Sequence, residues 1–174
     1  HLEQRALNLQ LRRREWDFRD HDAIDPITQL YRAEYWKTQI NKLQQSGKSA
    51  VIAIIDINNF SLFNQKHGYT EGDRYLHDIA QLVIMNLRQQ DLACRYAGDR
   101  FAILMPDVSP MQADVILNDI KVSIQHLAFR HSQNANAIYT TARSTQVTLL
   151  PNQRLATVLN TMLLELERSH DSAA

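Results

Sequence analysis

Two acids stand where a folded chain can bring carboxylates together. Asp56 closes the apolar run AVIAIIDI, residues 50 to 57, and Asp99 sits in the Ala97-Gly98-Asp99 turn inside CRYAGDRFAILMPD, residues 94 to 107. Two carboxylates at one edge of a sheet are a usual way to hold a hard cation against nucleotide phosphates. Solvated acids at strand ends are common as well, so the pair by itself leaves both readings open. A guanidinium, Arg100, follows the second acid directly. The other chemistry-bearing residues are read as structural. The seven histidines show no paired ligand spacing, and His126 and His131, five apart, do not share a helix face. Cys94 lies in an apolar run and reads as a small core residue; a lone cysteine excludes an internal disulfide and a cysteine zinc cluster. Trp16, Trp36 and the tyrosines read as packing residues. There is no Ser/His/Asp arrangement and no P-loop.

The elements that must position the two acids follow from hydrophobic periodicity. Residues 50 to 57 form a continuous β-branched run, as expected of a central strand buried on both faces. DLACRYAGDRFAILMP reads as a hairpin around the turn, able to lie beside that strand. Helices are expected from Ala33 to Leu43, from about Asp73 to Arg88 with Leu76, Ile79, Ala80, Val83, Ile84 and Leu87 on one face, from Met111 to Leu127 and from Leu155 to Arg168. The polar stretch Asn58 to Gly72 holds one short helix, and Ala137 to Leu150 one or two strands. Pro26 breaks the chain before a turn at Thr28. The irregular alternation with one hairpin favours an α+β fold, helices on a mostly antiparallel sheet.

The chain has 174 residues, 44% of them apolar, enough for one domain plus an appendage. Nineteen basic residues balance nineteen acidic ones, so no global field favours a nucleic acid polymer or an anionic membrane. No apolar run reaches the roughly 18 residues of a membrane helix, and no signal peptide is recognisable, which fits a cytoplasmic domain. Residues 1 to 22 carry Leu2, Leu9 and Trp16 seven apart, with Leu7, Leu11 and Phe18 on a neighbouring stripe. That pattern suits either a coiled-coil connector between protomers or a helix docked on the domain. The expected division is 1–22 as connector helix and 23–174 as domain, with the start at His1 suggesting a fragment of a longer protein.

IDPITQL, DINNFSLFNQKHGYTEGD, RQQD and RYAGDRF fall in the order and spacing of the GGDEF domains, and the chain resembles that family over about residues 23 to 168. The resemblance implies a cyclase-like palm fold, condensation of two GTP into cyclic di-GMP, and an N-terminal helix joining an upstream sensory or inner-membrane region, with homodimerisation through that helix. Carried over by position, it makes Asp56, the Ile57 carbonyl and Asp99 metal-binding, with Asp99 the acid associated with catalysis. Asn64 and Asp73 become the pair that reads guanine, a carboxylate accepting from N1–H and an amide pairing with a ring or exocyclic group. Arg88 and Asp91, an RxxD motif, become the product-inhibition site, since arginine pairs with guanine O6 and N7 in two-pronged fashion. A helix-terminal ion pair is the plainer reading of the same two residues. Both are expected to be exposed and tolerant of substitution.

The sequence departs from the family where the cation would sit. Arg100 replaces a glutamate that helps hold the metal. A guanidinium about 4 Å from a divalent cation is repelled by roughly 8 kcal/mol at an effective dielectric of about 20, before relaxation. Ser61 stands where lysine is usual, Arg143 and Thr145 where serine and glycine are usual, and the C-terminal basic pair is reduced to Arg168 with Ser172. The expected function is therefore a degenerate, non-catalytic GGDEF domain sensing cyclic di-GMP or GTP, needing no cofactor beyond magnesium accompanying any residual GTP. A weakly active diguanylate cyclase and a nucleotide-free dimerisation or docking domain are the alternatives. The Arg100 guanidinium is expected to fold towards Asp56 in place of the cation.

Overall fold

The computed structural model describes residues 3–4, 21–131 and 140–172. The connector pattern of Leu2, Leu7, Leu9, Leu11, Trp16 and Phe18 lies outside the described residues. After a single 3-10 turn at His21–Ala23, the elements run β1 (Tyr31–Arg32), α1 (Ala33–Gln45), β2 (Ala50–Ile57), α2 (Phe60–His67), α3 (Tyr69–Asn86), β3 (Leu92–Ala97), β4 (Arg100–Pro106), α4 (Pro110–His131), β5 (Ala142–Leu149) and α5 (Leu155–Ser172).

The strands form one sheet in the order β1-β3-β4-β2-β5. All neighbouring pairs are antiparallel except β1 with β3. Every residue of β2 is buried, as its unbroken apolar run requires. Alternation then divides the sheet. Ile55, Ile57, Phe101 and Ile103 pack with Leu76, Ile79, Val83 and Ile120 of α3 and α4. Ile52, Ile54, Ala102 and Leu104 pack with Trp36 and Ile40 of α1 and Leu159 and Met162 of α5. Trp36 is fully buried and donates its indole N–H to the Leu92 carbonyl, and Cys94 is fully buried with its thiol pKa pushed up by burial. Both are core residues, as read from the sequence.

The long helix expected from Asp73 begins four residues earlier, at Tyr69. Gly68, at φ +84°, provides the break from α2 and donates its N–H to the Asn64 carbonyl at 2.8 Å. The chain resumes the helix at once, which puts Gly72 inside α3 rather than in a loop. The helix also ends at Asn86, so Arg88 lies beyond it. In the stretch from Ala137, residues 142 to 149 form one strand, and 137 to 139 lie outside the described residues. Among the described residues no helix is long and apolar enough to cross a membrane.

Candidate functional site

Sheet register assembles the site. Asp56, next to last in β2, faces Arg100 on β4 and Arg143 on β5. Directly opposed residues share a face, so Arg100, Asp56 and Arg143 form a row across three strands. The Asp56 side chain is only 8% exposed. Its Oδ2 accepts from Arg143 Nη2 at 2.5 Å and Nε at 3.2 Å. Arg100 Nε lies 3.8 Å from Oδ1. The expected approach of Arg100 to Asp56 is thus present as an ion pair, but Arg143 is the closer cation.

The turn joins the same cluster. Gly98 has φ +46° with open space where a Cβ would stand, so its requirement is backbone conformation rather than room. The Ile57 N–H donates to the Asp99 carbonyl at 3.2 Å, tying the turn to the end of β2. Burial raises the Asp99 pKa and the nearby Asp56 charge raises it further, against the opposing pull of Arg100 and Arg143. Because the folded pKa is raised, stability linked to Asp99 is full below its unfolded value and is lost as pH rises through the folded one. Asp99→Asn is therefore expected to raise the melting temperature near about pH 7, with the gain vanishing below about pH 3, where the acid is neutral in both states. Scanning calorimetry across that range checks it; a gain that persists in acid contradicts it.

A second carboxylate fastens the turn from outside. Asp25 Oδ2 accepts from the Thr28 N–H at 2.9 Å and hydroxyl at 2.8 Å, and pairs with Arg95 Nη1 at 3.3 Å. Burial opposes its ionisation, but the Thr28 donors and the Arg95 charge outweigh it and hold its pKa below the usual value. Arg95 Nε in turn donates to the Gly98 carbonyl at 2.9 Å. The segment entering the domain is thereby linked through one guanidinium to the Asp99 turn.

Asn64 on α2 and Asp73 on α3 flank Gly72. Asp73 is exposed, whereas Asn64 Oδ1 is buried with no hydrogen-bond partner among the described residues. A Cβ at Gly72 would stand 1.7 Å from that oxygen, so the missing side chain makes room for the amide. Gly72→Ala is expected to displace Asn64 while leaving the helical fold intact, since alanine favours a helix interior by up to about 1 kcal/mol over glycine. Circular dichroism and nuclear magnetic resonance of the Asn64 side-chain amide check this: an unchanged helical spectrum with a shifted amide resonance is expected, and an unshifted resonance counts against the Asn64 placement.

Arg88 and Asp91 are together, but not exposed as expected. Asp91 is 2% exposed. Its carboxylate accepts from the Arg88 backbone N–H at 2.8 Å, Nε at 3.1 Å and Nη2 at 2.7 Å. Arg88 Nη2 also reaches the Pro106 carbonyl at 2.6 Å, and Nη1 reaches that of Asp107 at 3.4 Å. Spacing discloses the pair; its burial, and the Pro106 and Asp107 carbonyls that meet the guanidinium at the end of β4, come only from the fold.

A family model described as diguanylate cyclase, GGDEF domain, matches residues 22–170. The chain belongs to the GGDEF domain family. It is 32% identical over 108 residues to the probable diguanylate cyclase DgcJ of Escherichia coli (strain K12), covering 60% of this chain and 22% of that protein. It is 30% identical over 111 residues to the response regulator PleD of Caulobacter vibrioides, covering 62% and 24%. The GGDEF match thus spans under a quarter of these relatives' lengths. Among solved structures, the diguanylate cyclase SiaD of Pseudomonas aeruginosa, in complex with its activator SiaC, superposes with a TM-score of 0.74 at 26% identity, covering 97% of this chain and 64% of that one. The GGDEF domain of DgcB from Caulobacter crescentus, in complex with c-di-GMP, gives 0.77 at 21% identity, covering 88% and 93%. The latter likeness is one of fold.

Magnesium is the ion the GGDEF family implies at Asp56, Ile57 and Asp99. These residues do not fit it here. Both Asp56 oxygens face guanidinium groups, so the carboxylate that would hold the ion is already committed to two fixed cations. Ile57 is 2% exposed, and no group of three or more potential acidic, histidine or cysteine ligands occurs among the described residues. Sequence reasoning identifies Arg143 as a departure but not as the partner of Asp56. Only the register of β5 against β2 reveals that.

Proposed function

We propose that this GGDEF domain is a non-catalytic, guanine-nucleotide-sensing module of cyclic di-GMP signalling. The observation that carries the reading is Asp56 held between Arg143 and Arg100, where cyclase chemistry needs a divalent cation. GTP is the first ligand candidate, because the unpartnered Asn64 Oδ1 and the exposed Asp73 keep hydrogen-bonding capacity for a guanine edge. Cyclic di-GMP at Arg88 and Asp91 is the second. The complex of DgcB with c-di-GMP favours it, but here the ligand must first pull apart a pair of side chains that satisfy each other. The domain is further proposed to act as a homodimer through residues 1–22, passing its state to a sensory region.

The test incubates the purified chain with GTP and magnesium, separates the products by chromatography, and titrates each nucleotide by calorimetry. No cyclic di-GMP is expected, and GTP binding is expected to be lost in Asn64→Ala. Steady production of cyclic di-GMP would establish the cyclase alternative. Absence of binding by either nucleotide would leave a dimerisation or docking domain.

A further inference from the structure

We infer that the outer edge of β5 is a docking edge for an extended basic segment of another protein, which adds to the sheet as a further strand. No nucleotide takes part, so the site stands apart from the guanine reading of Asn64 and Asp73.

β5 ends the strand order, and among the described residues it pairs only with β2. The register runs unbroken from Ala50 opposite Leu149 to Ile57 opposite Ala142, and just beyond it the Asn58 N–H donates to the Thr141 carbonyl at 2.7 Å. That bond fixes the parity of the strand. In an antiparallel ladder alternate residues turn their backbone groups to the neighbour, so Thr141, Arg143, Thr145, Val147 and Leu149 face β2. Ala142, Ser144, Gln146 and Thr148 present their N–H and C=O groups outward, and none of these groups has a partner among the described residues. Folded proteins ordinarily blunt such an edge by shortness, proline, a bulge or an outward charge. The opposite edge obeys, since β1 is only Tyr31–Arg32. β5 has eight residues, ARSTQVTL, without proline or bulge, and its one charge, Arg143, is committed to Asp56.

The flanking helices select the occupant. On one face Thr145 donates its hydroxyl to Glu165 Oε2 of α5 at 2.9 Å; on the other Gln146 donates its side-chain amide to Asp114 Oδ1 of α4 and, at 3.2 Å, to the Pro110 carbonyl. Both acids are exposed, and the second oxygen of each accepts no hydrogen bond among the described residues. Successive residues of an added strand alternate between the same two faces, so adjacent basic residues opposite Thr145 and Gln146 meet Glu165 and Asp114 in turn. A basic residue opposite Arg143 would be repelled, which confines the positive charge to that pair. A second copy of β5 fits less well. α4 and α5 both pack on β5, and pairing two copies at the strand spacing of about 4.8 Å would crowd these helices against their counterparts, which need about 8–10 Å between axes. An extended segment brings no helices with it.

Amide hydrogen exchange of the full chain, followed by nuclear magnetic resonance with and without a synthetic peptide of alternating threonine and valine around a central pair of lysines, tests this. In the free chain the amides of Arg143, Thr145 and Val147 are expected to be protected and those of Ser144, Gln146 and Thr148 to exchange fast; the peptide is expected to protect the second set. Calorimetric titration is expected to show binding weakened by about twofold to fivefold in Glu165→Gln and in Asp114→Asn, the range for exposed ion pairs. Binding is expected to vanish for a peptide N-methylated at the alternate residues that face the strand, which keeps the charges and loses the backbone bonds. Thr148→Pro removes an N–H that bonds nothing in the folded chain, and is expected to weaken binding with an unchanged circular dichroism spectrum. Undiminished binding of the methylated peptide overturns strand addition, and equal binding of a peptide with a central pair of glutamates overturns the basic occupant. A peptide that leaves the exchange unchanged overturns the inference outright. Protection of Ser144, Gln146 and Thr148 in the free chain assigns the edge to this chain's own residues if it sediments as a monomer and to a second copy if it sediments as a dimer, and either result overturns the inference as well.

Discussion

Asp91→Ala is expected to destabilise the domain by about 3 kcal/mol, a large share of a typical domain's total stability. Three hydrogen bonds end on this carboxylate, from the backbone and from two nitrogens of Arg88. The side chain of Asp91 is 0% exposed and that of Arg88 31%. Removing the acid strips the Arg88 N–H of its acceptor and leaves the guanidinium held mainly by the Pro106 carbonyl. The clamp matters because it joins the α3–β3 connection to the end of β4. Arg88→Ala should cost a similar amount by the opposite route, leaving a buried carboxylate without its cation. Urea denaturation of both variants measures the effect, and losses under about 0.5 kcal/mol, the range of ordinary surface changes, would contradict it. A reduced affinity for cyclic di-GMP in either variant can be read as loss of a contact only after folding has been verified.

The same pair shows what sequence makes legible. Spacing locates Arg88 and Asp91, but three-residue separation is shared by solvated ion pairs and buried clamps alike, and only the folded structure decides between them. The central strand and the hairpin are readable because unbroken β-branched runs admit few alternatives. The start of α3 is not, since Tyr69-Thr70-Glu71 can belong to a polar loop or a first helical turn. Gly68 at positive φ decides it. The acids of the site are legible by type, and so is the displaced charge at Arg100. The closer partner, Arg143, stands out in the sequence only as a departure from the family pattern. Its contact with Asp56 spans 87 residues and depends on how an edge strand with little apolar alternation registers against β2.

That register leads to the second large effect. Arg143→Ser is expected to cost about 2–3 kcal/mol, somewhat less than the roughly 3–5 kcal/mol for breaking a fully buried pair, because Arg143 is partly exposed and Arg100 remains nearby. The cost arises on the carboxylate. Asp56 cannot turn to solvent from within β2, so it would be left with one cation at 3.8 Å and no hydrogen bond from it. Asp56→Ala should be milder, about 1 kcal/mol, since both guanidinium groups are near enough to solvent to hydrate once released. The asymmetry separates a structural pair from a coincidental one: losing the cation strands a buried charge, whereas losing the anion frees two solvated ones. Denaturation of both single variants and of the Asp56→Ala/Arg143→Ser double variant measures it, with the double variant expected to be more stable than Arg143→Ser alone. Equal losses in the two single variants, or a double variant weaker than either, would mean that Asp56 does not depend on Arg143 for its place in the sheet.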